Sequence, residues 1–150
     1  MESVKQRFRD LDSVIDGTHR LFEDFPLEGG YELGLTEEAL YRAKLAVHEW
    51  IANLVQHADF GDRQADISVD VWSDGRRIEC VIEDNSEGFD LDEHLEARKG
   101  SLNALPERGM GLLMLRACAS DLYYGRIADG RFRLKFSVSA DDDPWLNIPF

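Results

Sequence analysis

Apolar positions along the chain change their period from one stretch to the next, and the changes divide it into elements. Phe8, Leu11, Val14, Ile15 and Phe22 recur at helical spacing, which predicts a helix over residues 10 to 24. A Pro/Gly connection, DFPLEGGYELGL, follows. Thr36 with Glu37 and Glu38 behind it reads as a helix start, because a hydroxyl can cap free N–H groups and acids suit the positive end of the dipole. Leu40, Ala43, Val47, Trp50, Ile51, Leu54 and Ala58 then form one stripe, so the helix runs from about Glu37 to Ala58. Beyond it the period falls to two. Ile67, Val69 and Val71 alternate with polar residues, as do Ile78, Cys80 and Ile82, with SDGRR between them as a hairpin turn. Phe132, Leu134, Phe136 and Val138 alternate in the same way, and ADGR links them to DLYYGRI. Between the strand pairs lie a long polar stretch, 85 to 108, and a predicted helix from Gly109 to about Ser120. Strands apolar on one face only suit an antiparallel sheet covered on one side. The expected architecture is α+β: two layers, with helices on one face of a mostly antiparallel sheet.

Composition narrows the field. The 150 residues suit one domain spanning 1–150. A net charge of -13 argues against nucleic-acid binding, which depends on neutralising phosphates. No apolar run is long enough for a membrane, and MESVKQRFRD has no apolar signal core, so the cytoplasm is the expected compartment. Cys80 and Cys118 match no metal or redox spacing and read as small buried hydrophobes. The run EDNSEGFDLDEHLE, residues 83 to 96, is a solvated loop or an acidic surface that steers a partner or a cation.

Four stretches bear on chemistry. His48-Glu49 resembles the start of a zinc-protease helix, but the second His of that motif would fall at Ala52. Glu49, Asn53 and His57 lie one turn apart, in one quadrant opposite the apolar stripe. They form a solvated face, or a carboxylate and an amide oxygen for a hard cation such as Mg²⁺, with Glu49 as a base beside it. A strand ends at Asp84 and enters a polar loop containing Gly88; the Asp starts a turn or accepts a hydrogen bond from an exocyclic amine. In RGMGLLMLR, Gly109 and Gly111 open an apolar helix, either to let the chain turn or to bring N–H groups to an anion. Neither a P-loop nor a complete dinucleotide fingerprint is present.

In order, these pieces resemble the ATP-binding fold shared by gyrase B subunits, sensor histidine kinases and Bergerat-type chaperones. AVHEWIANLVQHA is similar to the AVSEAxxNAxxHA segment of the small bacterial anti-sigma-factor serine kinases, EDNSEGFD to their D-x-G-x-G-F-D, and RGMGLLMLRACASDLYY to their G-R-G-x-G-L-x-L helix and following strand. The resemblance spans residues 36 to 138. It implies that Asn53 holds Mg²⁺ bridging the ATP phosphates and that Glu49 activates a serine hydroxyl of a protein substrate. It further implies that Asp84 binds the adenine amine, that Gly88 shapes the pocket, and that Gly109, Met110, Gly111 and Leu112 at the helix start hold phosphate oxygens. Arg108 reaches the γ-phosphate or stays in solvent, and His57 lies at the edge of the site. Residues 89–108 become an ATP lid, and 141–150 a C-terminal tail with no assigned part. The implied partners are an anti-sigma antagonist (STAS-type) protein and a sigma factor, with homodimerisation through the N-terminal region. The alternatives are a switch that binds ATP without transfer, a regulator of another signalling module, and a plain interaction domain. Ser86 replaces the first glycine of the Asp84 motif, a strained choice if the backbone there has a positive φ. Glu107 would repel phosphate unless turned away.

Overall fold

The computed structural model describes residues 3–23, 37–74, 77–88, 115 and 119–139. In chain order the elements are β1 (Ser3–Phe8), α1 (Leu11–Glu23), α2 (Glu37–His57), β2 (Ile67–Asp74), β3 (Arg77–Asp84), β4 (Ser120–Arg126) and β5 (Phe132–Ser139). The strands form one sheet in the order β1-β2-β3-β5-β4, and every pairing is antiparallel. The α+β class expected from the patterning is therefore the class observed.

Period two sorts β3 cleanly. Ile78, Cys80, Ile82 and Asp84 are buried on one face, while Arg77, Glu79, Val81 and Glu83 lie half-buried on the other. The neighbouring strands match it in register, with Val69 opposite Ile82, Val71 opposite Cys80, and Phe136 and Leu134 opposite Cys80 and Ile82. Against this apolar face α2 lays Ala39, Ala43, Ala46, Val47, Trp50, Ile51 and Leu54, all fully buried. The small alanines at the start of α2 let it approach the sheet closely, and Trp50 fills the space further along. Burying side chains such as Trp50, Ile51 and Leu54 stabilises the fold by roughly 1.5–3 kcal/mol each. Cys80 is free and buried among them, and burial pushes its thiol well above the ordinary range.

α1 begins on an Asp10 cap: its Oδ1 accepts the Asp12 N–H at 2.9 Å. Three expectations need correction. The first strand, β1, was not foreseen, because Phe8 fits the helical recurrence of Leu11 and Val14 as well as it fits a strand. In the fold Phe8 pairs with Ile67, and its ring packs onto Gly17 of α1 so closely that a Cβ there would overlap it. Ile15, assigned to the apolar stripe of α1, is 42% exposed. Of the helix expected over 109–120, Leu115 is described, helical and fully buried, whereas Ser120 opens β4. Thr36, Cys118 and the central turn residues 75 and 76 lie outside the described residues. No described helix is long and apolar enough to cross a membrane.

Candidate functional site

The polar end of α2 and the end of β3 are far apart in sequence, and a set of loop contacts joins them. After α2 the chain turns at Gly61, whose φ is 61° and whose N–H donates to Asp59 Oδ1 at 2.8 Å. This connection is pinned to the loop that follows Asp84. Glu87 N–H donates to the Asp59 carbonyl at 2.8 Å, and Arg63 Nη2 pairs with Glu87 Oε1 at 2.5 Å. Asn85 works in both directions, its Nδ2 donating to the Gln64 carbonyl and its Oδ1 accepting the Asp66 N–H, each at 2.9 Å. The segment leaving α2, which carries Glu49 and Asn53, is thus stapled to the Asp84 loop.

Asp84 itself is fully buried, on the helix-covered face of the sheet, because period two continues the Ile78-Cys80-Ile82 row. Its two oxygens differ. Oδ1 accepts from the Ser86 N–H at 2.9 Å and from the Ser86 hydroxyl at 2.5 Å. Oδ2 is buried and has no hydrogen-bond partner among the described residues. Burial raises the Asp84 carboxyl above its ordinary range, while the two Ser86 donors and the charge of Arg131 act in the opposite direction. A buried acceptor without a donor is costly, of the order of 1–3 kcal/mol, so Oδ2 is a place where a ligand N–H gains what the fold lacks.

Gly88 closes this loop at φ 76°. A Cβ there would overlap the ring of Phe132, the residue opposite Asp84 in the β3–β5 register. Phe132 stacks on Tyr124 at 5.5 Å, and Tyr124 meets Trp50 of α2 edge-on at 5.1 Å. An aromatic row therefore runs from the core of α2 to the underside of the Asp84 loop. From the sequence, Phe132 and Arg131 are only alternating positions of a strand, with no part in the site. The side chain of Arg131 bonds Asp66 Oδ2 at 3.1 Å and the Asp66 carbonyl at 3.3 Å. Its position just after a turn glycine was the only available signal. The positive φ that could have strained Ser86 does not occur: among the described residues of this loop it falls on Gly88 alone.

Glu49 and Asn53 are half-buried on α2, and among the described residues neither side chain has a hydrogen-bond or ion-pair partner. This adjusts the expected quadrant. Gln56 and His57 at the end of that side are open to solvent, whereas Glu49 and Asn53 are half-buried. His48 sits further round, with its ring 5.6 Å from His19 of α1. Burial lowers its pKa, and the nearby His19 and Lys44 add to the effect. No cluster of three or more His, Cys, Asp or Glu among the described residues could hold a metal. A carboxylate and an amide oxygen fit Mg²⁺ instead, which keeps waters and takes its remaining ligands from phosphates. A hollow of about 290 Å³ among the described residues lies on the open face of the sheet, lined by Lys5, Asp70, Trp72, Glu83, Arg133 and Lys135 among others. It holds none of the candidate residues, and Arg133 and Glu83 already pair within it at 2.7 Å. Arg108, Gly109, Met110, Gly111 and Leu112, the lid 89–108 and the tail 141–150 lie outside the described residues.

The structure thus sets a helix bearing a carboxylate and an amide beside a strand-end aspartate whose Oδ2 has no hydrogen-bond partner among the described residues. Residues 28–137 match the model of the histidine kinase-like ATPase domain, and the chain belongs to that family. Within it, the chain is similar to proteins named serine-protein kinase RsbW. The one from Oceanobacillus iheyensis is 30% identical over 122 residues, covering 74% of this chain and 77% of its own. That of Bacillus subtilis is 25% identical over 95 residues, 60% of this chain and 59% of its own. That of Listeria monocytogenes is 30% identical over 102 residues, 61% of this chain and 62% of its own. The chain thus spans under two thirds of the length of the latter two relatives.

Proposed function

We propose that this protein is an ATP-dependent serine kinase of the anti-sigma type, which binds a sigma factor and phosphorylates a serine of its STAS-type antagonist. The observation that carries this reading is the bare, buried Oδ2 of Asp84 in a loop stapled to the helix of Glu49 and Asn53. Similarity to proteins named serine-protein kinase supports the reaction type.

In this reading Asp84 Oδ2 accepts the adenine amine, and Gly88 keeps the loop against Phe132 so that the carboxylate stays at that depth. The Asn53 amide oxygen would hold Mg²⁺, which would supply charge neutralisation at the phosphates. Glu49, one turn before Asn53 on the same flank, takes the proton of the attacking serine hydroxyl. Arg108 and the Gly109–Leu112 segment hold the phosphate oxygens. Most of the catalysis is positioning and charge neutralisation, so Asn53 and Asp84 serve chiefly to place the γ-phosphoryl group.

A second reading, a switch that binds ATP without transferring it, shares every one of these contacts except the use of Glu49. Labelled ATP and Mg²⁺, incubated with the protein and antagonist proteins encoded near it, separate the two. Label on an antagonist serine, lost in Glu49→Ala, is the expected result. ATP binding without transfer establishes the switch, and an absence of ATP binding overturns both.

A further inference from the structure

Ser86 stands where the resembled motif has glycine, and it is 4% exposed. Its hydroxyl makes two directed bonds. The oxygen accepts the Gly88 N–H at 3.1 Å, and the proton goes to Asp84 Oδ1 at 2.5 Å. The direction is forced, because the Gly88 N–H can only donate and an ionised carboxylate can only accept. Ser86 N–H adds a second donor to the same Oδ1 at 2.9 Å. One oxygen of Asp84 is thereby saturated and the other left bare. The terminal torsion of an aspartate is otherwise broad and soft.

On the ATP-site reading given above, we infer that Ser86 is a positioning residue that holds the Asp84 carboxylate with its acceptor oxygen toward the base, and so selects a 6-amino purine over a 6-oxo purine. Two donors on Oδ1 disfavour a proton there. A neutral Asp84 would carry its proton on Oδ2 and become a donor, which suits a 6-oxo group and rejects an amine. Burial alone pushes the carboxyl toward that neutral form, and the Ser86 donors oppose it. A glycine at this position keeps the backbone donor but loses the hydroxyl, and it also leaves the Gly88 N–H without its acceptor. The serine therefore couples the recognition group to the positive-φ corner that rests on Phe132.

ATP and inosine triphosphate share their phosphates and sugar and differ only along the base edge at N1 and position 6, so the ratio of their dissociation constants reads the edge that faces Asp84. The wild type is expected to favour ATP. Ser86→Ala and Ser86→Gly should each reduce the ATP preference about tenfold, the scale of one hydrogen bond to a charged group, and Ser86→Thr should retain it. A second variant leaves Ser86 in place. In Asp84→Asn the hydroxyl still donates to the amide oxygen, which turns the amide NH₂ toward the base, so the preference should invert to inosine triphosphate. An unchanged ratio in Ser86→Ala and Ser86→Gly, or a ratio near one in Asp84→Asn, overturns the assignment to Ser86 while leaving the ATP site standing. A wild-type protein that binds neither nucleotide overturns that site as well. Melting curves of each variant separate lost selectivity from lost folding.

Discussion

Asp66 and Asp84 stand at the two ends of the same hydrogen-bonded loop cluster, and the fold treats them in opposite ways. Asp66 is gripped from several sides: Arg7 pairs with both of its oxygens, and Arg131 reaches Oδ2 and the carbonyl. Its carboxyl is held down to about 2, first by the Arg7 hydrogen bond, against a smaller opposing effect of burial. Asp84 is deeper, and among the described residues it has no arginine bonded to its carboxylate, spends one oxygen on Ser86 and leaves the other without a partner; its carboxyl is raised. A carboxylate whose acceptors are all occupied can stabilise a fold, but it has nothing to offer a ligand. One left half-satisfied costs stability and keeps a strong acceptor in a dry place. On the proposed reading, the same residue type serves structure at one end of the cluster and recognition at the other.

The sharpest test of that contrast is to remove each carboxylate. Asp84→Ala should weaken ATP binding about a thousandfold, measured by calorimetry, because the base loses its one buried acceptor. Its melting temperature should change little, since the cost of the unpaired Oδ2 leaves with the side chain while the Ser86 N–H and hydroxyl lose their acceptor. Asp66→Ala should do the reverse, lowering the melting temperature while changing ATP affinity less than threefold by estimate. Exchanged outcomes would break the comparison.

Gly88→Ala examines the corner that holds Asp84 in place. It combines a positive φ with overlap on the Phe132 ring, so a loss of about 3 kcal/mol in urea-unfolding stability is expected. A loss much below that would show that the loop is free to shift and that Asp84 is less fixed than its hydrogen bonds imply.

Acid titration gives the next effect. The Asp66 pKa is depressed from 3.8 to about 2, so its contribution is fully present above 3.8 and fades as pH falls from there toward 2. The Asp84 carboxyl is raised, so its protonation on the way down relieves a penalty and acts with the opposite sign, above the ordinary carboxylate range. Asp66→Asn should flatten the melting-temperature profile between pH 4 and 2, by estimate from those values, and Asp84→Asn should leave that window unchanged. The smallest expected change is that of Asn85→Ala, which removes the bonds to Gln64 and Asp66 at a cost of about 1–2 kcal/mol. It should also weaken ATP binding severalfold, because it loosens the staple between the Asp66 and Asp84 ends.

Much of this was legible along the chain. Both long helices, the two hairpins and the α+β class follow from periods of 3.6 and 2, because each side chain's face depends only on its own element. The same rule places Asp84 on the covered face, two residues beyond Ile82. It fails where one residue satisfies two periods, as Phe8 does at the junction of β1 and α1. Glu49 and Asn53 were readable as a pair one turn apart, but not as half-buried, since that depends on what packs beside α2.

The amino-acid order by itself determined the elements, the apolar face of each, and the spacing that puts a carboxylate and an amide on one side of α2. Tertiary structure decided what those groups meet. The Asn85 and Glu87 bonds that bring the α2 end to the Asp84 loop, the two arginines on Asp66, and the Phe132 ring beneath Gly88 all join residues distant in sequence. Such contacts depend on strand register and loop closure, which no local period encodes. Ser86 lies between the two cases. Its identity is plain in the sequence, but only the folded loop, with Gly88 N–H on one side and Asp84 Oδ1 on the other, gives its hydroxyl a direction.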